Sequence, residues 1–303
     1  MIKHLLPIGL ICCLLLSCET KQASLQNETI VDDLGVSFSF EKIPKRIITL
    51  APNLTEIIFD LGLEKILVGN TMFCNYPDEA KKIEKVGDML SFNYEKILRL
   101  NPDLVFITVE GNTKAAYEKF KALGIKTFVS NPRNFIGIKK TYGDLGKIFH
   151  VESLVESKIK NWDSTAAYIK ENSKSVSSKT AMIIIELKPV MIAGKNTFLN
   201  EFIENCGLTN IADDSKVNYP IFSREEILKR NPDYIIYPAG DEDNISKIKN
   251  AYPEWLQLKA VKNKNVLMVD RDVYLRPGAR FIDALKDLFT RLHPELKGNL
   301  LLL

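Results

Sequence analysis

The stretch Ser91–Ile107 reads SFNYEKILRLNPDLVFI, and the stretch Ile221–Tyr237 reads IFSREEILKRNPDYIIY. With Ser91 aligned to Ile221, the two share a glutamate, an Ile-Leu pair and an Asn-Pro-Asp triplet. In each stretch a helical pattern ends at Asn-Pro, and an apolar run typical of a β-strand follows. The same helix–turn–strand unit written twice in 303 residues predicts a protein with two similar halves.

The similarity extends beyond this pair of stretches. TEIIFDLGL (Thr55–Leu63) resembles NEFIENCGL (Asn200–Leu208), and each places a glutamate six positions before a glycine that ends a helix. Strand-like and helical runs alternate in both halves, whereas residues 135–173 have only helical patterns. The sequence therefore predicts an α/β fold. Two similar α/β lobes with mostly parallel sheets are joined by one long backbone helix, with a ligand cleft between the lobes.

The first residues indicate export. The apolar run Leu5–Leu16 is shorter than the roughly 20 residues that span a bilayer, and it fits the core of a signal peptide. It leads into LLSC, ending at Cys18, which resembles a bacterial lipobox and implies cleavage before Cys18 and lipidation of its thiol. An ordinary secretory cleavage near Ser17 is the alternative. We expect an exported lipoprotein, anchored on the periplasmic side or the cell surface.

On this interpretation the chain has five segments. They are a signal peptide (1–17), a lipidated cysteine with tether and entry strand region (18–43), an N-terminal lobe (44–145), a linking backbone helix (146–175) and a C-terminal lobe (176–303). Cys74 and Cys206 remain after the signal peptide is removed. Export permits a disulfide, but the two lie in different predicted lobes, so we expect both thiols to be free.

Composition limits the classes of function. With 46% hydrophobic and 26% charged residues, the chain resembles ordinary soluble globular proteins. A net charge of +3 is small for this length and indicates no nucleic-acid partner, because such proteins carry a concentrated basic face. We expect a monomer.

Catalytic signatures are missing from the sequence. Motifs of serine hydrolases, zinc proteases and nucleotide-binding loops do not occur, and only His150 and His293 follow the signal peptide. We expect both histidines, together with Trp162 and Trp255, to be surface or packing residues. The sequence predicts a non-enzyme with no metal site and no cofactor of its own.

Five segments, in order, resemble the substrate-binding lipoproteins of bacterial ABC importers for cobalamin and ferric siderophores. They are PKRIITLAPNLTEIIFDLGL, CNYPDEAKKIEKVGD, NYEKILRLNPDLVF, YPIFSREEILKRNPDYII and DRDVYLRPGARF, and the resemblance spans roughly Pro44 to Pro294. Within that family the chain looks most like the cobalamin-binding branch. The resemblance implies capture of a cobalt corrinoid in the interlobe cleft and delivery to a permease dimer with its ATPase.

The resemblance also implies particular site residues. Tyr76 and Tyr219 stand where aromatic residues face the ligand, and Asp272 and Arg276 stand where an aspartate and an arginine contact it. Tyr274 lies between them, in a segment whose side chains we expect to point out of the fold. Two tryptophans expected from the family are replaced, by Met89 and Thr108. We predict that Tyr76, Met89, Tyr219, Asp272, Tyr274 and Arg276 bind the ligand, since aromatic and apolar faces with a few polar groups suit a planar chelate.

The repeated glutamates have a separate implied role. Glu95 and Glu225 fall near the start of equivalent helices, where an acid interacts favourably with the helix dipole. In the family, glutamates at these positions bind arginines on the two permease subunits. Three alternatives stay open at this point: a ferric-siderophore or haem receptor of the same family, a two-lobed chelatase-type enzyme, and a surface adhesin.

Overall fold

A computed structural model describes residues 29–174, 178–240, 245–296 and 298. The predicted signal peptide, Cys18 and most of the tether lie outside the described residues. Within the described part, no helix is both long and apolar enough to cross a membrane.

Eleven strands are assigned within the described residues. They are β1 (Ile30–Val31), β2 (Ser37–Phe38), β3 (Ile47–Thr49), β4 (Leu67–Asn70), β5 (Leu104–Thr108), β6 (Thr127–Ser130), β7 (Thr180–Glu186), β8 (Met191–Ile192), β9 (Thr209–Asn210), β10 (Tyr234–Ala239) and β11 (Val266–Asp270).

The described α-helices are α1 (Pro52–Asp60), α2 (Tyr94–Leu100), α3 (Lys114–Ala122), α4 (Phe135–Phe149), α5 (Glu152–Asn172), α6 (Phe198–Asn205), α7 (Arg224–Arg230), α8 (Ile245–Ala251), α9 (Lys259–Lys262), α10 (Arg271–Tyr274) and α11 (Phe281–Leu292). Short 3-10 turns lie at Glu64–Ile66, Asp78–Lys82, Pro253–Gln257 and Pro294–Leu296.

The two lobes repeat one sheet topology. The N-terminal sheet has the order β4-β3-β5-β6, and all of its pairings are parallel. The C-terminal sheet has the corresponding strand order β9-β7-β10-β11, and these pairings are parallel too. The added strand β8 pairs antiparallel with β7. The predicted pair of similar, mostly parallel α/β lobes is confirmed.

The repeated stretches include the residues that begin and end helices α2 and α7. Asn93 and Ser223 cap α2 and α7, accepting hydrogen bonds from the amides three residues on. At the other end, Asn101 and Asn231 adopt φ values of 47° and 46°. Asparagine tolerates this left-handed conformation, which stops the helix.

The aspartate of each Asn-Pro-Asp triplet joins this turn to the neighbouring strand. Asp103 Oδ2 accepts from the amides of Lys45 and Arg46 at 2.7 and 2.9 Å, directly before β3. Asp233 Oδ2 accepts from the Thr180 amide at 3.0 Å, at the start of β7. In both lobes the triplet thus ends a helix and fixes the first residues of the central strand.

Two consecutive helices connect the sheets. His150, at φ 55°, separates α4 from the 21-residue α5, which falls inside the predicted linking segment 146–175. Tyr142 on α4 packs edge-on against Trp162 on α5 at 4.7 Å and donates to Asp60 at 2.7 Å. The connection is therefore packed against α1, the first helix of the N-terminal lobe.

The predicted packing residues lie inside the fold or at turns. Trp162 and Trp255 are buried, and so is His293, whereas His150 ends a helix at the surface. Cys74 and Cys206 are both buried free thiols, as expected.

Candidate functional site

A cavity of about 370 Å³ lies between the two lobes. Its N-terminal wall is built at the carboxyl ends of the strands, where loops of parallel sheets commonly hold ligands. Asn53 follows β3, Phe73 follows β4, Thr108 ends β5 and Asn131 follows β6. The parallel topology, and not local sequence alone, brings these four residues together.

The C-terminal wall comes from the segment after β11 and from two aromatic residues. Arg271, Asp272, Leu275 and Arg276 follow one another around α10 and the turn after it, and Phe198 and Tyr219 add apolar surface. The wall therefore combines apolar faces with a few charged side chains, a composition typical of small-molecule sites.

Tyr219 is half-buried in this wall. Burial, with a smaller contribution from the charge of Glu110, raises the pKa of Tyr219 to about 12. Its ring therefore stays a neutral phenol at physiological pH.

The opposite wall is closely packed at Gly111. The Cβ of any residue replacing Gly111 would lie 2.5 Å from Thr108 Oγ1 and 2.7 Å from Met89 Cε. Gly111 thus allows Met89 and Thr108 to approach each other at the cavity surface.

A buried ion cluster joins the lobes beneath the cavity. Glu56 on α1 is 2% exposed and accepts from Arg276 Nη1 at 2.8 Å and from Arg280 Nε at 2.8 Å. Burial lowers the pKa of Arg280, but its hydrogen bond to Glu56 and the charge of that carboxylate raise the pKa overall. Both arginines belong to the C-terminal lobe, so one carboxylate of the N-terminal lobe holds both of them in place.

A second set of contacts crosses the cleft above this cluster. Arg276 Nη2 lies 2.7 Å from Asp272 Oδ2. The Asn75 side chain, from the N-terminal lobe, donates to Asp272 Oδ2 at 2.7 Å and accepts from Arg276 Nη1 at 2.8 Å. Asn53 Nδ2 also donates across the cleft, to the Pro277 carbonyl at 3.0 Å.

This geometry can be set beside proteins already described. The profile of the family described as periplasmic binding protein matches residues 47–273. The chain belongs to this family. An ABC transporter substrate-binding lipoprotein of Bacillus subtilis is 32% identical over 275 residues, covering 88% of this chain and 86% of the relative.

Solved structures give the same result for the fold. The periplasmic vitamin B12 binding protein BtuF of Vibrio cholerae superposes with a TM-score of 0.72 at 27% identity, covering 84% of this chain and 99% of that protein. A possible iron-binding protein of Staphylococcus epidermidis has a TM-score of 0.71 at 27% identity, with 83% and 100% covered. A periplasmic haem-binding protein of Pseudomonas aeruginosa, at 18% identity, TM-score 0.74 and coverages of 83% and 93%, shares the fold.

Membership of the family establishes the broad class. The protein is a substrate-binding component of the ABC importer type and not an enzyme, as predicted. Its relatives are substrate-binding lipoproteins and periplasmic proteins, which implies an extracytoplasmic location. The family also implies a small-molecule ligand and a permease with its ATPase as partners.

Four of the six predicted ligand residues line the cavity: Met89, Tyr219, Asp272 and Arg276. Tyr76 lies outside the lining and is 48% exposed, with its ring 4.2 Å from the Arg280 guanidinium carbon. It therefore covers the ion cluster from the solvent side, next to the cavity.

The expectation that the Tyr274 side chain points out of the fold is wrong. Tyr274 is 1% exposed, its ring packs on Phe202 at 5.3 Å, and its hydroxyl donates to Asp287 at 2.9 Å. Residues 271–274 form a helical turn, so Asp272 and Arg276 face one side while Tyr274 faces the core. Because this segment is helical and not extended, the alternating residues Asp272, Tyr274 and Arg276 do not share one surface.

Sequence reasoning missed Glu56, Asn75 and Arg280. For Glu56 the sequence did contain a signal, because this residue matches Glu201 in the repeated helix motif. In the structure both glutamates are largely buried and contact another element. Glu201 Oε2 accepts from the Phe135 amide at the start of α4, at 2.5 Å. Asn75 offered no comparable signal, since its partners are about 200 positions away in sequence.

The two predicted docking glutamates occupy matching places. Glu95 and Glu225 are exposed and follow the N-cap of α2 and of α7 by two positions. Among the described residues neither carboxylate forms an ion pair. A hydrogen bond from its own amide, one with Ser223 and the charge of Arg224 lower the pKa of Glu225, so it is ionised at neutral pH.

Proposed function

We propose that this protein captures a corrinoid between its lobes and delivers it to the permease of an ABC importer. Support for the class comes from the family, and support for the ligand comes from the likeness to a vitamin B12 binding protein of Vibrio cholerae. The proposal depends further on the chemistry of the cavity wall.

The observation that carries the corrinoid assignment is charge compensation in the cavity. Three of the four charged side chains of the lining already have a charged protein partner, and the fourth contacts a backbone carbonyl. Glu110 pairs with Arg133 at 3.1 Å, Asp272 and Arg276 pair with each other, and Arg271 Nε contacts the Pro238 carbonyl at 3.4 Å. To pair with Arg133 or Arg276, an anionic ligand such as haem, with two carboxylates, would have to compete with Glu110 or Asp272. A corrinoid presents mainly neutral carboxamides at its rim and needs no such competition.

Apolar surface supplies the rest of the binding site. Tyr219, Met89, Phe73 and Phe198 offer faces against which a planar macrocycle can pack. Burial raises the pKa of Tyr219 to about 12, so without a bound metal its ring is a neutral phenol that can pack against the ligand and form hydrogen bonds with it. At about 370 Å³, the cavity lies near the lower end of the roughly 300–1,000 Å³ typical of small-molecule pockets. A corrinoid would therefore be held by part of its surface.

We further propose that Glu95 and Glu225 dock the receptor on its permease. A permease dimer offers two equivalent surfaces, and the duplicated lobes offer two exposed carboxylates in equivalent helices. Lipidation at Cys18 would hold this monomeric receptor close to the permease.

A ferric siderophore or haem is the alternative ligand within the same family. The observation favouring it is a pair of tyrosines at the cleft, Tyr76 and Tyr219, because phenolate oxygens bind ferric iron. The similarity to a possible iron-binding protein of Staphylococcus epidermidis agrees with this alternative.

Parallel equilibrium titrations test the ligand. Purified protein is titrated with cyanocobalamin, haemin and a ferric hydroxamate siderophore, and binding is followed by calorimetry. We expect saturable one-to-one binding of cyanocobalamin, and Tyr219→Ala should weaken it about tenfold through lost packing area. Tight binding of haemin or the siderophore without binding of cyanocobalamin would overturn the corrinoid assignment and leave the importer class intact.

A further inference from the structure

The Asn75 side chain is held by two charged groups of the opposite lobe. Its amide nitrogen donates to Asp272 Oδ2 at 2.7 Å, and its amide oxygen accepts from Arg276 Nη1 at 2.8 Å. Only one of the two orientations of the amide satisfies both partners, because the carboxylate only accepts and the guanidinium only donates. Asp272 and Arg276 together therefore form a fork with one acceptor and one donor.

The fork is rigid on one side and open on the other. Glu56, with 1% of its side chain exposed, holds Arg276 from beneath at 2.8 Å, while Asp272 is bound to the same guanidinium at 2.7 Å. The Arg276 side chain is 12% exposed and that of Asp272 is 38% exposed, and both line the interlobe cavity. A group that enters the cavity and displaces Asn75 can thus reach both residues of the fork without rearranging the arginine.

The fork selects among ligand groups by hydrogen-bond pattern. A primary carboxamide carries a donor and an acceptor at the spacing that Asn75 presents. A carboxylate offers two acceptors and would face the Asp272 charge, and an ester has no donor. The chemistry of this subsite therefore matches a primary carboxamide.

The family resemblance already implies that Asp272 and Arg276 contact the ligand; we propose that the Asn75 side chain competes with a ligand carboxamide for this fork. The inference rests on the proposed corrinoid function, since corrinoids carry several primary carboxamides around the ring. Asn75 is then a specificity-determining residue: a ligand group must match or exceed its two hydrogen bonds to replace it.

Displacement of Asn75 also affects the cavity wall. Arg276 Nη2 contacts the Phe73 carbonyl at 3.4 Å, and the Phe73 side chain, 51% exposed, lines the cavity two residues before Asn75. Exchange of Asn75 for a ligand amide releases the Thr71–Pro77 segment from one of its contacts with the C-terminal lobe. Phe73 can then adjust its position against the bound ring.

The test compares the dissociation constants of wild type, Asn75→Ala and Asn250→Ala for cyanocobalamin. Asn250 is an exposed asparagine on α8 that does not line the cavity, so its replacement is a matched control. Removing the competing amide should tighten binding about fivefold in Asn75→Ala, as expected for hydrogen bonds to partly exposed charged groups. Asn250→Ala should bind like wild type, and melting temperatures verify that both variants are folded.

A ligand-side comparison adds a second readout. Among the monocarboxylic acids obtained by hydrolysing one side-chain amide of cyanocobalamin, at least one should bind wild type about tenfold more weakly, because its carboxylate would face Asp272. Equal or weaker binding of cyanocobalamin by Asn75→Ala, or equal binding of all the acids, would overturn this inference alone. If wild type binds no corrinoid, the proposed ligand fails and this inference fails with it.

Discussion

At the residue scale, the buried carboxylate of Glu56 determines how the cleft is held together. It forms ion pairs with Arg276 and Arg280, whose side chains are each 12% exposed, and it is the N-terminal lobe's contribution to an interlobe ion cluster. A buried charge that loses its partner is far more costly than an exposed one, because neither water nor another group solvates it.

Glu56→Gln should therefore lower the free energy of unfolding by about 3 kcal/mol, since the amide removes the carboxylate that pairs with Arg280 and leaves Arg276 with Asp272 alone. Urea denaturation measures the change. Glu84→Gln is the matched control, because Glu84 pairs with Lys96 at an exposed position, and its loss should cost much less than that of Glu56. Equal losses in the two variants would mean that Glu56 has no special role.

A substitution at Tyr274 tests whether this buried side chain contributes to stability and not to ligand binding. Tyr274→Phe removes one hydrogen bond to Asp287 and should lower stability by about 1 kcal/mol, with unchanged affinity for cyanocobalamin. The measurements are thermal unfolding and the same calorimetric titration. A loss of affinity comparable to that of Tyr219→Ala would show that the Tyr274 hydroxyl contributes to ligand binding after all.

At the element scale, the Asn-Pro-Asp triplet explains why the chain repeats itself. A left-handed asparagine ends the helix, and the aspartate fixes the start of the central strand of each sheet. This local chemistry is readable from sequence, as are the N-caps, the strand runs and the alternation that predicted parallel sheets. The interlobe contacts of Asn75 and the inward turn of Tyr274 are not readable, because each depends on how distant segments pack.

Replacement of the two aspartates should have unequal effects. Asp103→Ala should cost about 1 kcal/mol, because its hydrogen bonds are exposed to water, whereas Asp233→Ala should cost about 2 kcal/mol at its half-buried position. Urea denaturation again provides the measurement. Asp78→Ala, which removes an exposed ion pair with Lys81, is the control and should change the free energy of unfolding less than either of the other two variants. A larger loss of unfolding free energy in Asp103→Ala than in Asp233→Ala would contradict the account.

At the scale of the whole molecule, the two similar lobes provide both a cleft between them and a pair of matching glutamates. The carboxyl ends of the N-terminal strands face the C-terminal wall to make one cleft, and the helices α2 and α7 carry one exposed glutamate each. The cleft and the two glutamates are thus separate surfaces, so ligand capture and permease docking can be tested independently.

Glu95→Ala combined with Glu225→Ala should leave cyanocobalamin affinity unchanged and impair uptake into cells at low ligand concentration. A glutamate–arginine contact at an interface contributes about 2 kcal/mol, or about thirtyfold in affinity for the permease. Glu118→Ala combined with Glu156→Ala removes two other exposed helical glutamates and serves as the control. Uptake equal to wild type in the first double variant would refute the docking proposal.

The central claim is that a corrinoid occupies the cleft between the lobes, and anomalous diffraction at the cobalt absorption edge tests it most directly. Crystals grown with saturating cyanocobalamin should show one cobalt peak within the interlobe cavity, beside Tyr219 and Met89 and on the same side as the Asp272–Arg276 fork. A cobalt peak elsewhere on the surface, or none at a ligand concentration that saturates binding in solution, would contradict the account.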